Sequence, residues 1–214
     1  MTSTDRIRIV HVDNHVLVVN KPAGLLSQGD KTGDTSLVDE ARAWLIKTYN
    51  KPGNAYVGLV HRLDRPVSGV MVLARTSKGA ARLSDQFRRR TILKTYWAVV
   101  EGCPKTDEQT LVHTLDEKSC TLDFRTLYTD GRRTLLEVRP HTGRKHQIRR
   151  QLAAIGHSIV GDIRYGAKAP LTRHAIALLS KSIDFTHPTT QQEMRFETEP
   201  ESWWPLKPEE TATV

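Results

Sequence analysis

Apolar and polar positions alternate along residues 6–12, with one slip at Val10, and this pattern predicts a half-buried strand with a bulge. After a turn at Asp13 and Asn14, a continuous apolar run at 16–19 predicts a buried strand. Further strand-like runs occupy residues 57–60, 70–74, 94–102, 121–128, 133–138, 175–179 and 183–185.

Three segments have helical spacing of apolar residues instead. A helix is predicted from Leu37 to about Tyr49, with Ser36 and Asp39 as its capping pair. A second is predicted over 77–90, and a third lies within residues 139–156, with Gly156 at the C-terminal cap position. The expected inner positions are Ala80, Leu83, Ser84 and Phe87 in the second helix, and Ile148, Leu152 and Ile155 in the third.

Asp130 and Gly131 separate two of the predicted strands, and an Asp-Gly pair in that position is a strong hairpin signal. Neither an internal repeat nor a linker divides the chain. We therefore expect residues 1–214 to form a single α+β domain, with a mixed, mostly antiparallel sheet and flanking helices.

The chain of 214 residues carries a formal net charge of +8, which favours a polyanionic partner such as nucleic acid. Its two cysteines, Cys103 and Cys120, offer neither a disulfide framework nor a zinc-ligand pattern. No run approaches the roughly 18 apolar residues of a membrane span, and the polar start lacks the apolar region of a signal peptide. A cytoplasmic protein without a membrane partner is expected.

The densest chemistry lies at residues 61–69, where Asp64 stands between Arg62 and Arg65. A carboxylate beside two arginines is expected to stay ionised, which suits a nucleophile or a base. The alternative is a surface ion-pair cluster at the edge of a core strand, and composition alone favours that alternative. His61 could be a general base, but a lone histidine beside a strand is more often a structural hydrogen bonder.

The common phosphate-loop, zinc-protease, redox and serine-hydrolase motifs are missing from the sequence. What remains is Asp64, a tyrosine in a predicted strand, and an arginine-rich helix, all on a basic protein. That set suits covalent or acid–base chemistry on a nucleic acid without a metal or a cofactor. The basic end of the second helix, Arg88 to Arg90, fits a solvated face and a phosphate contact equally well.

Several blocks of the sequence resemble the RluA-type pseudouridine synthases, and they occur in the order of that family from about residue 8 to residue 200. They are Asn20-Lys21-Pro22-Ala23-Gly24, His61-Arg62-Leu63-Asp64-Arg65 with Ser68-Gly69, Lys94-x-Tyr96-x-Ala98, His141-Thr142-Gly143-Arg144-x-His146-Gln147-Ile148-Arg149, Gly161-Asp162, Tyr165-Gly166 and His187-Pro188.

The resemblance implies an isomerase that converts specific uridines of ribosomal or transfer RNA to pseudouridine. It assigns the catalytic carboxylate to Asp64, either as a nucleophile at C1′ or as a base that takes a ribose proton. It assigns stacking on the target base, and assistance with proton transfer at C5, to Tyr96, and it pairs Arg149 with Asp64. Without the resemblance, Tyr96 would be interpreted as a core aromatic residue and Arg149 as a phosphate contact.

By the same resemblance, Arg62 helps to fill the space that a flipped uridine leaves, which favours a loop or bulge in a structured RNA as the target. Expected substrate contacts also include Lys21, Arg144, Lys145 and His146, with Arg88 to Arg90 as further candidates. We expect no metal and no cofactor, and a monomer.

The sequence departs from many relatives at Pro66-Val67, at Gln151, where a histidine is common, and at Ser158, where a proline is common. Because few residues come before residue 7, we expect no N-terminal RNA-binding domain of the small kind that many relatives carry. Two other functions stay open: an RNA-binding protein that acts without turnover, and an RNA hydrolase that uses Asp64.

Overall fold

Within residues 7–206 of the computed structural model, which describes every residue there except the side chain of Arg173, the chain forms ten strands and three α-helices. No helix in this range is long and apolar enough to cross a membrane. The strands are β1 (Arg8–Val12), β2 (Val16–Lys21), β3 (Gly58–Leu59), β4 (Ser68–Ala74), β5 (Leu93–Glu101), β6 (Glu108–Leu115), β7 (Lys118–Thr129), β8 (Arg133–Pro140), β9 (Leu178–Thr186) and β10 (Glu193–Glu197). The helices are α1 (Leu37–Thr48), α2 (Ser77–Arg89) and α3 (Gln147–Ala154), and short 3-10 helices occupy Ile163–Tyr165 and Thr172–His174.

Backbone contacts group the described residues, 7–206, into two compact units, and the ranges below refer to these residues only. The first unit contains the chain through Lys94 together with Ser180–Thr198, and its strands lie in the order β1-β2-β4-β9, with β3 also paired to β4 and β10 to β9. The second unit contains Thr95–Leu179 and the chain from Glu199, and its strands lie in the order β5-β8-β7-β6. The strand pairs run mostly antiparallel, which confirms the α+β class. The prediction of one domain over 1–214 stays a prediction.

The core of the first unit forms around β2 and β4, whose continuous apolar runs are buried as predicted. Val18 and Val72 of these strands pack with Leu83 of α2 in one buried cluster. Helix α1 begins with a capping box in which Ser36 and Asp39 bind each other's backbone, as their spacing predicted. The register of β1 shifts between Ile9 and His11, which confirms the bulge.

In the second unit, the predicted hairpin joins β7 to β8. The backbone N–H groups of Arg132 and Arg133 donate to Asp130 Oδ1 over 2.8 and 2.6 Å, and Gly131 has a φ of 81°. Helix α3 ends before Gly156, which takes a left-handed conformation with a φ of 84°. Both local signals in the sequence were therefore correct.

Other expectations were wrong. The predicted strands at 175–179 and 183–185 are not separate strands. Leu178, Leu179 and residues 183–185 lie in one strand, β9, whose residues are nearly all buried and whose polar residues such as Ser180 fit inside, while residues 175–177 come before it. Ser84 is exposed, since the buried stripe of α2 passes through Gly79 and Leu83. Strands β6 and β10 were not predicted, because most of their side chains are exposed and give little apolar signal. Arg6 and the chain end beyond 206 lie outside the described residues.

Gly69 lets β4 approach β9 closely. A Cβ at this position would lie 2.5 Å from the backbone N and 2.8 Å from the carbonyl carbon of Ser180, and the φ of 121° disfavours any side chain. We expect Gly69→Ala to lower the free energy of unfolding by about 2–4 kcal/mol, from backbone strain plus overpacking. Urea unfolding followed by circular dichroism measures the loss.

Gly33→Ala is the matched control, because Gly33 also has a positive φ, 75°, but a Cβ at this position would have nothing within 4 Å. It should cost only about 1 kcal/mol, for the left-handed backbone alone. Equal losses in the two variants would show that the approach of Ser180 does not constrain Gly69.

Candidate active site

Asp64 lies in the loop between β3 and β4, and the residues on both sides of it are held by one neighbouring loop. The Leu63 N–H donates to Ser27 Oγ over 3.1 Å, and the Ser27 hydroxyl donates back to the Leu63 carbonyl over 2.6 Å. Arg65 Nε donates to the Gly24 carbonyl over 3.0 Å, while the Gly24 N–H donates to the Arg65 carbonyl over 2.8 Å. These reciprocal pairs fix the backbone on each side of the candidate carboxylate.

Pro66 and Val67, where the sequence departs from many relatives, complete this loop. The Val67 N–H donates to the Asp64 carbonyl over 3.0 Å and closes a turn, and the Val67 side chain is buried. Pro66 occupies an inner turn position that needs no N–H donor in this arrangement. The departure from the common family pattern is therefore accommodated without loosening the Asp64 loop.

Lys21 is buried and supports the same loop through hydrogen bonds. Its side chain is fully buried, and Nζ donates to the carbonyls of Pro22 (3.1 Å), Leu25 (2.8 Å) and Arg65 (3.3 Å). An ammonium group has three donors, and three carbonyls receive them here. The expected contact between Lys21 and a phosphate stays a prediction, while the contacts of its buried Nζ in this structure are to these three carbonyls.

The Lys21 ammonium and the Asp64 carboxylate influence each other electrostatically. Burial lowers the pKa of Lys21 to about 7, and the Asp64 charge opposes this shift while the Arg65 charge adds to it. One of the positive charges that act on Asp64 thus comes from Lys21, which lies 43 positions earlier in the chain. The sequence pattern around Asp64 did not reveal this interaction.

His61 is a structural residue. Its Nε2 accepts a hydrogen bond from the Val72 N–H over 3.0 Å, and its ring stacks on Phe87 with a centroid distance of 4.7 Å. Burial, with a smaller contribution from the Lys94 charge, lowers the pKa of His61 to about 3. The ring is therefore neutral at physiological pH with its Nε2 lone pair already used, which supports the structural alternative over a general base.

Arg149, near the start of α3, is buried and forms a two-point ion pair with Asp162. Nε lies 2.6 Å from Oδ2 and Nη2 lies 2.9 Å from Oδ1, and the side chains of both residues are almost fully buried. The guanidinium also lies over the ring of Tyr165, 4.9 Å from its centroid. This arrangement fixes the plane of the guanidinium, and it assigns to Asp162 a supporting role that sequence reasoning missed.

His146 joins the same cluster at the start of α3. Its Nδ1 lies 2.7 Å from the Tyr165 hydroxyl, and the two rings meet edge to face. Gln147 Oε1 accepts from the Arg144 N–H over 3.0 Å and from the Thr142 hydroxyl over 2.8 Å, which orders the loop before the helix. Arg144 itself is exposed at the end of that loop, where it can reach an anion.

The other expected site residues fall in several places. Tyr96 is buried in β5 opposite Val138, while Lys145 and Arg62 are exposed. The basic end of α2 is partly neutralised, because Asp85 pairs with Arg88 and with Arg89. That pairing favours the solvated-face interpretation of this helix end.

Asp64 and Lys21 belong to the first unit, and Tyr96 and Arg149 belong to the second. The grouping of these residues around one substrate stays a prediction, as does the pairing of Arg149 with Asp64.

Comparison with known proteins identifies the family. Residues 15–154 match the RNA pseudouridylate synthase family, and this stretch is well over half of the chain. The chain belongs to the RNA pseudouridylate synthase family.

Two bacterial members of this family show the extent of the match. The chain is 29% identical to "tRNA pseudouridine synthase C" of Pectobacterium carotovorum, covering 95% of this chain and 62% of that protein. It is 31% identical to "Ribosomal large subunit pseudouridine synthase C" of Vibrio vulnificus, covering 87% of this chain and 63% of that protein. The chain therefore spans less than two thirds of the length of either relative.

A solved structure shows the same fold at lower identity. "Human RNA Pseudouridylate Synthase Domain Containing 4" superposes with a TM-score of 0.76 at 22% identity, over 92% of this chain and 89% of that one. The fold class predicted from the sequence is confirmed by this likeness.

Two departures from the family pattern have structural explanations. Gln151 is buried in α3, and its Nε2 donates to the carbonyls of Leu111 (3.1 Å) and Cys120 (3.2 Å), so it ties the helix to β6 and β7. Ser158 donates its hydroxyl to the Tyr165 carbonyl over 2.7 Å. A proline at 158 could not make that bond, and in this chain the serine helps to hold the tyrosine that packs on Arg149.

The Arg149–Asp162 pair should be essential for stability. Asp162→Asn removes the carboxylate that binds Arg149 Nε and Nη2 in this buried pair, and we expect the free energy of unfolding to fall by about 3 kcal/mol. The matched control is Asp116→Asn, because Asp116 forms a similar two-point pair with Arg150 in the same unit but is exposed. The control should lose nothing measurable in urea unfolding, and a similar loss in both variants would contradict the importance of burial.

The coupling between Lys21 and Asp64 can be measured directly. Asp64→Asn removes the negative charge that opposes desolvation, so the pKa of Lys21 should fall below about 7. The Cε chemical shift of Lys21, followed through a pH titration of protein with labelled lysine, reports this pKa. Asp184→Asn, elsewhere in the same unit, should leave it unchanged, and an unchanged Lys21 pKa in Asp64→Asn would show that the two charges do not interact.

Proposed function

We propose that this chain isomerises uridine to pseudouridine in RNA. The observation that carries the proposal is the family match over residues 15–154, a stretch that includes Asp64, Tyr96 and Arg149. The rigid support of the Asp64 loop fits that role, because catalysis requires a group held in a fixed geometry.

The proposed reaction breaks the bond between C1′ of the ribose and N1 of uracil, rotates the base, and joins C1′ to C5. The C5 proton is lost and N1 gains a proton, so the product is an isomer of the substrate and no co-reactant is consumed. Asp64 acts in its ionised form, either by adding to C1′ or by removing a ribose proton. When it is protonated, Lys21 attracts the negative charge of Asp64 in both cases.

Tyr96 is proposed to stack on the target base and to assist the proton transfer at C5. Arg149 is proposed to pair with Asp64 and to aim it, and its fixed plane on Asp162 supports this role. Arg62 is proposed to occupy the space that the flipped uridine leaves, and its exposure is compatible with that position.

The proposed substrate is a uridine in a loop or bulge of ribosomal or transfer RNA. The two bacterial relatives carry one of these RNA classes each in their names. A net charge of +8 and the exposed Arg144 and Lys145 beside α3 supply favourable contacts for phosphates. We further propose that the enzyme is a cytoplasmic monomer that needs no metal or cofactor.

The activity is tested by incubating the protein with ribosomal and transfer RNA transcribed in vitro, which contain no pseudouridine, and mapping the product. We expect pseudouridine at specific sites, and a rate reduced by at least about 10²–10⁴-fold in Asp64→Asn. Asp184→Asn serves as the control, since it removes a carboxylate from the same unit outside the motif positions.

Two results would overturn these assignments. RNA binding by the wild-type protein without any product would favour a binding protein, and full activity of Asp64→Asn would exclude Asp64 as the catalytic group. Tyr96→Phe separates the two proposed roles of the tyrosine: a rate close to wild type indicates that the ring stacks, whereas a large loss assigns proton transfer to the hydroxyl.

A further inference from the structure

A cavity of about 610 Å³ lies beside the Asp64 loop in the first unit. Residues 22–25 form one wall, residues 33–35 form the other, and Arg65 lies between them. The proposed mechanism uses neither Arg65 nor the second wall. The cavity is therefore an additional feature of the surface next to the candidate catalytic residue.

Arg65 presents its guanidinium to this cavity from a fixed base. Nε is held by the Gly24 carbonyl at 3.0 Å, and Nη2 forms an ion pair with Asp34 Oδ2 at 2.8 Å. The side chains of Arg65 and Asp34 are 49% and 50% exposed, so water reaches both partners. An ion pair of this kind contributes little net stability, and another anion can replace the carboxylate at small cost.

Asp34 sits on a segment that can release it without disturbing a helix or a strand. The turn before it is closed locally, with the Thr32 N–H donating to Asp30 Oδ1 over 2.9 Å and the Asp34 N–H to Thr32 Oγ1 over 3.3 Å. Residues 28–35 are all exposed. Hydrogen bonds from Thr32 hold the pKa of Asp30 below its usual range, and the Arg65 charge adds to this effect, so a second carboxylate also stands near the guanidinium.

The position of Arg65 relative to Asp64 is set by the backbone. The two residues are adjacent, and the Arg65 carbonyl accepts hydrogen bonds from Lys21 Nζ and from the Gly24 N–H. An RNA that places a uridine at Asp64 carries a phosphate on each side of that nucleotide. One of these phosphates can come close to the residue that follows Asp64, and a guanidinium matches phosphate oxygens with a two-point geometry.

We propose that the cavity around Arg65 is a subsite for one backbone phosphate of the RNA substrate, and that Asp34 pairs with Arg65 until the phosphate replaces it. This inference rests on the proposed function, because it takes RNA as the ligand. Asp34 repels any phosphate that does not engage Arg65 fully, so the pair weakens loose binding near Asp64 and favours RNA seated with its uridine in place.

The test is a double-mutant cycle on RNA binding, with Asp34→Asn, Arg65→Gln and the combined variant. Asp34→Asn removes the competing carboxylate while leaving Arg65, so the dissociation constant for the in vitro transcripts should fall about two- to fivefold. The same substitution in the Arg65→Gln background should give no gain, because no guanidinium is left there to compete for. Arg65→Gln alone should reduce the slope of log K against log salt by about 0.7–0.9.

Asp184→Asn is the matched control, since Asp184 also pairs with an exposed arginine, Arg195, at 3.1 Å in the same unit. A gain in affinity that persists without Arg65, or that equals the gain in Asp184→Asn, would reduce the effect to net charge and overturn the subsite. A second result would also overturn the subsite: inorganic phosphate shifts the Arg65 side-chain resonance, but neither substitution changes the affinity for RNA. The site would then bind a free anion and not the RNA backbone.

The two proposals fail differently. Loss of the proposed function shows as transcripts that contain no pseudouridine after incubation with the wild-type protein. If only the subsite proposal is wrong, the wild-type enzyme is active, and its RNA affinity and KM equal those of the Asp34→Asn variant.

Discussion

The Asp64 loop depends on the hydrogen bonds that the buried ammonium of Lys21 donates. Lys21 lies at the end of β2, and its three hydrogen bonds join the loop after that strand to the backbone of Arg65. Burial of a charge is costly unless every donor is satisfied, and here the cost is reflected in a pKa lowered to about 7. A neutral residue of the same length could fill the space, but it would place no positive charge near Asp64. The energetic cost of burying Lys21 is therefore better explained by a positive charge that the candidate site requires than by packing.

A comparable arrangement occurs in the second unit, where Arg149 is buried on Asp162. The pair is almost inaccessible to water, and Tyr165 covers one face of the guanidinium. Gly161 permits the turn that presents Asp162, since its φ is 88° and a Cβ there would lie 2.8 Å from Leu171 Cγ. Both units thus hold a cation in a fixed, desolvated position that an apolar core would not require. Preorganised charges of this kind are what electrostatic catalysis needs.

Local signals explain which parts of the fold could be predicted. The capping pair at Ser36 and Asp39, the bulge at Val10 and the Asp130-Gly131 hairpin depend on neighbouring residues, and each was predicted correctly. The site was predictable only where a motif resembled a family. The contacts that support it were not predicted, although Asp162 lies in one of the resembling blocks, because the partners of Leu63 and Arg149 lie 36 and 13 positions away. Nothing local distinguishes Ser27 or Asp162 from an exposed polar residue, and burial arises only when the chain folds.

Many of the positive charges of the chain are paired with carboxylates, which the net charge alone does not show. Arginines at the surface pair with carboxylates at several places in the described residues: the exposed Arg125 and Arg139 share Glu137, and the half-buried Arg150 pairs with Asp116. Such pairs lower the potential that a distant phosphate experiences, while each guanidinium can still exchange its partner at close range. Non-specific attraction to any polyanion is reduced, and contact energy is released only where a phosphate displaces a carboxylate. A basic surface built from exchangeable pairs therefore discriminates by fit more than by charge, which suits the proposed action on few uridines among many.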